Sequence, residues 1–209
     1  MAIAPKPSPS PSSAPAASHT LRDRTIRAVR AEVAAVAMRL FVEHGFDKTT
    51  VDQIAAEAGM SRTSFFRYFA TKEDVVLGHL DELAQRVGEA LAARPEPEPV
   101  WRSLRRAFDP LIEEAIASPE QNLRMSRMLH DTPALRFRQA GKQLRWYDLL
   151  APEVARRLHV ADGALDPRPR ALVAAATACL NAASETWSAA NGTIDLSTLL
   201  DQAMDAPAG

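Results

Sequence analysis

Apolar side chains recur at helical spacing along most of the chain, and no stretch makes a defensible β-strand. Ile26, Val29, Val33, Ala37, Leu40 and Phe41 mark one face of a first helix, predicted from about Thr20 or Leu21 to Gly45. Val51, Ile54, Ala55 and Ala58 fall at i, i+3, i+4 and i+7 and mark a short second helix, with Thr50 placed to cap it. A third short helix follows Ser61, its Phe65, Phe66 and Phe69 set among Arg62, Thr63, Ser64, Arg67 and Tyr68. Between the two, Gly59 supplies the positive φ that a helix-ending turn demands without a steric penalty. The stretch Thr49 to Lys72 therefore has the helix-turn-helix layout, in which the second helix enters the major groove of DNA.

A longer helix is predicted from roughly Lys72 to Ala93, with Val75, Val76, Leu80, Leu83, Val87 and Leu91 inward. Alternating prolines at 95, 97 and 99 stop it, because proline has no N–H and clashes with the preceding turn. Val100 to Ala117 reads as one helix kinked at Pro110, and Glu120 to His130 as a short one. Asp131 or Thr132 caps a long helix with Pro133 in its first turn, which Pro152 is expected to bend or break. Arg170 to Ala190 and about Leu196 to Met204 complete an all-α chain. The stretch Ala171 to Ser184 contains no charge, so it should pack on its own domain with one face and on something else with the other.

Composition separates the chain into three parts. Residues 1–19 contain fifteen Pro, Ser and Ala and are read as a disordered arm. Residues 20–72 carry 9 Lys+Arg against 6 Asp+Glu, and residues 73–209 carry 15 against 20, so a basic module precedes an acidic body. Arg22, Arg24, Arg27 and Arg30 crowd the start of the first helix, where the macrodipole disfavours cations. A solvated face or a nearby phosphate backbone would each account for them. The single cysteine, Cys179, excludes an intrachain disulfide. No run is apolar enough for a membrane span, and the N-terminus lacks the apolar core of a secretion signal, so a cytoplasmic location is expected. The five histidines show no metal spacing, and no catalytic or nucleotide-binding fingerprint occurs; neither metal, cofactor nor enzymatic activity is expected.

With the motif and the helical body in place, the chain resembles the TetR family of transcriptional regulators, most strongly over Val33 to Leu77. The markers are Leu40-Phe41, Gly45-Phe46, Thr49-Thr50-Val51, Ile54-Ala55, Ala58-Gly59, Ser61 through Phe69 and Lys72-Glu73. The body is similar to the mycofactocin-locus, MftR-like subfamily at Met128-Leu129, Thr132 to Leu135 and Gln143 to Trp146. The resemblance implies a helix-turn-helix DNA-binding domain at 20–72, joined by its fourth helix to an effector-binding and dimerisation domain at 73–209.

It also implies roles for matching residues. Thr50 and Ser61 would cap helices and offer hydroxyls to phosphates. Arg62, Thr63 and Ser64 would face base edges, and Arg67, Tyr68 and Lys72 would hold the backbone. Phe65 and Phe69 would be core, whereas Phe66 replaces a frequent tyrosine and offers only apolar contact. The implied partners are a pseudo-palindromic double-stranded operator, a second copy of the chain and a small-molecule effector, acyl-CoA or another hydrophobic compound. Ligand-binding candidates are Trp101, Phe108, Met125, Met128, Phe137, Trp146, Tyr147 and Asn181, the last a polar amide in a charge-free helix. Arg124 and Arg127 could meet an anionic effector or simply be solvated. The expected function is repression relieved by the effector. Alternatives are an activator of the same fold, or a binding protein whose head no longer reads DNA.

Overall fold

A computed structural model describes residues 21–161 and 165–206 of the chain; the arm expected at 1–19 lies outside them. Among the described residues the chain forms helices and no strands: α1 Leu21–His44, α2 Val51–Glu57, α3 Arg62–Tyr68, α4 Lys72–Ala92 and α5 Val100–Ala107. Then come α6 Asp109–Ala117, α7 Pro119–Asp131, α8 Pro133–Arg157, α9 Arg168–Ala189 and α10 Leu196–Asp205. No helix among the described residues is long and apolar enough to cross a membrane.

Local chemistry accounts for the short helices. At α2, Gln53 N donates to Thr50 Oγ1 at 3.2 Å while Thr50 N donates to Gln53 Oε1 at 2.8 Å, a reciprocal capping box. At α3, Ser64 N donates to Ser61 Oγ at 3.1 Å, and at α4 Asp74 N donates to Thr71 Oγ1 at 3.2 Å. Gly59 turns the chain between α2 and α3 at φ 66°, a conformation that costs a residue with a Cβ.

The expectations about proline meet different outcomes. The segment 100–117 is not one kinked helix but two, α5 and α6, meeting at Phe108. Pro110 sits in the first turn of α6, where its missing N–H costs no helical bond. Pro152, by contrast, does not break α8, which runs on to Arg157. Pro152 is exposed, while its neighbours Leu150 and Val154 are buried and hold both sides of the helix in the core. Packing there outweighs the lost hydrogen bond. Also, α9 starts at Arg168, with Pro169 buried in its first turn.

Two apolar clusters organise the molecule. The first joins Val33, Ala37, Phe41, Phe46, Ile54, Phe65 and Phe69 to Val75, Val76 and Leu77 of α4. Leu129 of α7 and Leu135 of α8 belong to it, so the body reaches into the head. The second gathers Val87 and Leu91 of α4 with Leu104, Phe108, Leu150, Val154, Val173, Ala176, Trp187 and Leu200. α4 is common to both. Arg138 of α8 adds a polar link, its Nη1 donating to Thr71 Oγ1 at 3.0 Å and Asp74 Oδ1 at 3.1 Å.

Candidate nucleic-acid interface and effector cavity

The head presents α3 to solvent on one side. Phe65 and Phe69 are buried, which points Arg62, Thr63, Phe66 and Arg67 outward, with Ser64 and Tyr68 half-buried. Arg62 is held from two directions. Its Nη1 donates to both carboxylate oxygens of Asp52, at 2.8 and 2.7 Å, and its guanidinium lies 5.4 Å from the Phe66 ring centroid. Nη2 and Nε stay free of Asp52, and these are two donors of a planar fork that matches the O6 and N7 acceptors of guanine. Phe66 is thus a platform for Arg62 as well as an exposed apolar group. Arg67 lies over the Tyr68 ring at 5.2 Å, the two forming one cationic, hydroxyl-bearing patch.

Lys72, expected to hold the DNA backbone, turns its ammonium towards the chain itself. Its Nζ donates to Phe46 O at 2.8 Å and Thr49 O at 3.2 Å, and sits 4.4 Å from the Phe46 ring. These carbonyls belong to the α1–α2 connection, so Lys72 fastens α4 to that turn. The Arg cluster of α1 divides: Arg22, Arg24 and Arg27 are exposed, whereas Arg30 is half-buried with its guanidinium 5.0 Å from the Phe69 ring.

The body contains a cavity of about 170 Å³ bounded by α4, α6, α7, α8, α9 and α10. Of the eight ligand-binding candidates, Met125, Trp146 and Asn181 line it. The other five do not. Phe108 is fully buried core, 6.2 Å from the Trp146 ring. Trp101 donates its indole N–H to Met204 O at 3.0 Å, and Tyr147 lies under Arg170 at 5.4 Å. Met128 packs on the head cluster, and Phe137 is 84% exposed.

Sequence reading passed over Trp187, Ser184 and Thr177, which line the cavity from α9 beside Asn181. Their spacing on one helical face was a usable signal. Asp52 carried none, since its link to Arg62 spans ten residues and a turn.

Most polar groups of the cavity are already satisfied. Ser126 and Ser184 share a hydrogen bond of 3.3 Å, and Thr177 Oγ1 donates to Val173 O at 2.8 Å. Asn122 Nδ2 donates to the Glu114 and Ser118 carbonyls, both at 3.0 Å. His130 stands 3.6 Å from Glu185, and Asp81 3.9 Å from Arg145. The Asn181 amide has no hydrogen-bond partner among the described residues. No group of three or more metal-ligating side chains is gathered among the described residues.

A helix-turn-helix head on an all-helical body with an internal cavity defines a class of one-component regulator, and the comparisons place the chain within it. Residues 33–78 match the model for bacterial regulatory proteins of the tetR family, and residues 98–208 the MftR C-terminal domain. The chain belongs to the TetR family of transcriptional regulators, with a C-terminal domain of the MftR type.

Among relatives, the transcriptional regulator TcmR of Streptomyces glaucescens is 30% identical over 80% of this chain and 76% of its own length. MftR of Mycobacterium tuberculosis, a candidate regulator of mycofactocin biosynthesis, is 31% identical over 58% of this chain and 62% of its own. Among solved structures, the repressor FadR of Thermus thermophilus, in complex with lauroyl-CoA, superposes with a TM-score of 0.57 at 28% identity. The match covers 84% of this chain and 91% of that one.

Proposed function

We propose that the protein is a homodimeric repressor that leaves a pseudo-palindromic operator when a hydrophobic small molecule fills the body cavity. One observation carries the reading. Within the single helix α4, Val75, Val76 and Leu77 belong to the head core, and Leu80 and Leu83 belong to the cavity wall. A change in the cavity is therefore one or two helical turns from the head, along a rigid element. An effector shifts the head only as far as it prefers one arrangement over the other.

Dimerisation supports the spacing such a switch needs, since two recognition helices must reach successive major grooves about 34–36 Å apart. α9 offers a self-complementary surface: Ala171, Ala178, Ala182 and Ala189 are exposed while its opposite side is buried. The lauroyl-CoA of the Thermus FadR complex supports an effector with a long apolar part and makes acyl-CoA one arm of any screen.

DNA binding is tested with Arg62→Ala and Tyr68→Phe on the protein's own upstream DNA. Arg62→Ala should cost about 1–3 kcal/mol of base discrimination while the variant remains a folded dimer. Tyr68→Phe should weaken binding to all sequences alike. Unchanged operator binding in both variants sinks the assignment of α3 as the reading helix.

A further inference from the structure

A second cleft, of about 260 Å³, opens between α1 of the head and α4, α6 and α7 of the body. Asn122 and Met125 line both this cleft and the inner cavity, so these two side chains form the shared wall. Met125 is half-buried and unbranched, with three rotatable bonds, and can swing aside without breaking a hydrogen bond. Across the cleft stand Ala31, Ala34 and Ala35 of α1, small residues that leave the space unfilled, and the Arg30 guanidinium over Phe69. Gly78 of α4 keeps the floor open: a Cβ there would stand 3.1 Å from Arg30 Nη2.

We propose that cavity and cleft are two compartments of one effector site. Its occupant is an elongated, uncharged, mainly apolar molecule with one hydrogen-bonding group opposite Asn181 and its far end against α1. The proposal rests on the effector reading above and deepens it. In the inner compartment the class of ligand follows from the satisfied polar groups, while the cleft mixes one cation, Arg30, with two carboxylates, Glu82 and Glu114, and selects neither sign of charge. The serines, Thr177, Asn122, Asp81 and His130 already have partners, so a charged group drawn inside would lose its hydration with little to replace it. The Asn181 amide is left to pair with a carbonyl or hydroxyl. The regulatory consequence is direct contact: a molecule long enough to pass Asn122 and Met125 wedges against the helix that carries the head, and a shorter one does not.

The test uses the full chain and isothermal titration with three probes: 1-naphthol, the longer uncharged N-phenyl-1-naphthylamine, and lauroyl-CoA. Ala35→Trp places a large side chain in the cleft from an exposed position of α1, remote from the inner cavity. It should weaken N-phenyl-1-naphthylamine at least ten-fold and leave 1-naphthol within two-fold. Asn181→Leu should weaken both neutral probes.

Equal affinity of the longer probe for wild type and Ala35→Trp overturns the two-compartment site while leaving the inner cavity in place. Lauroyl-CoA binding more tightly than either neutral probe overturns the ligand class. If none of the three binds the wild-type protein, the effector reading fails together with this proposal.

Discussion

Replacing Arg157 with methionine removes a cation whose side chain is only 1% exposed. Its Nε donates to Glu153 Oε1 at 2.8 Å, and Nη1 to Pro95 O at 3.1 Å. Nη2 donates to Leu91 O at 2.9 Å and to Arg94 O at 2.7 Å. The guanidinium thus collects carbonyls where α4 ends, a place where the macrodipole favours a cation. Methionine keeps much of the volume, so the loss is mainly of hydrogen bonds. Glu153 stays paired, because Arg156 Nη2 remains 2.7 Å from its Oε1. Of the three carbonyls, only Arg94 O is orphaned, because Leu91 O still accepts from Arg94 N and Pro95 O from Glu98 N, both at 3.2 Å.

At about 1–3 kcal/mol for the unsatisfied Arg94 carbonyl, and about 1 kcal/mol for each of the hydrogen bonds lost to Leu91 O and Pro95 O, the expected destabilisation is about 3–5 kcal/mol. That equals the usual cost of breaking a buried ion pair. Urea denaturation followed by circular dichroism measures it. In a thermal melt the same loss is about 6–20 °C for a chain of this size. Arg157→Lys should recover little, since an ammonium cannot reproduce the planar fork. A loss below about 1 kcal/mol for the methionine variant would show that water replaces the guanidinium, and the clamp at the end of α4 would have to be abandoned.

Two further outcomes follow from the same geometry. Lys72→Met should destabilise the head by about 2 kcal/mol through its charged hydrogen bonds to carbonyls, yet leave the salt dependence of operator binding unchanged. A slope reduced by about 0.9 would instead make Lys72 a phosphate ligand. Glu98 is held down to about 2 from an ordinary 4.5, chiefly by the Arg94 guanidinium and then by the Ser103 hydroxyl. Its folded value is depressed, so the stability it contributes is complete above about pH 4.5 and is lost as pH falls towards about 2. Melting temperatures of wild type and Glu98→Gln should therefore differ most near neutrality and converge in acid; a gap that widens below pH 4.5 contradicts the assignment.

The helices of the head were legible because their determinants are local. Thr50 and Gln53, or Ser61 and Ser64, lie three residues apart, and the turn at Gly59 needs only its own backbone freedom. Proline shows where local reasoning stops. Pro110 and Pro152 look alike in sequence, yet one opens a new helix and the other is carried through an existing one, because buried Leu150 and Val154 flank the second.

What the sequence by itself determined was an all-helical chain, a capped helix-turn-helix and the outward side of α3: i, i+3 and i+4 spacing fixes which residues share a face. The partners of charged side chains needed the tertiary structure. Lys72 finds carbonyls more than twenty residues back, Arg157 more than sixty, and Arg62 a carboxylate on the preceding helix. The cavity needed it most. Trp146 and Phe137 lie on the same helix with similar chemistry, yet one lines the cavity and the other is in water. A cavity is the space that packed helices fail to fill, and that space depends on how distant elements meet rather than on the order of residues within any one of them.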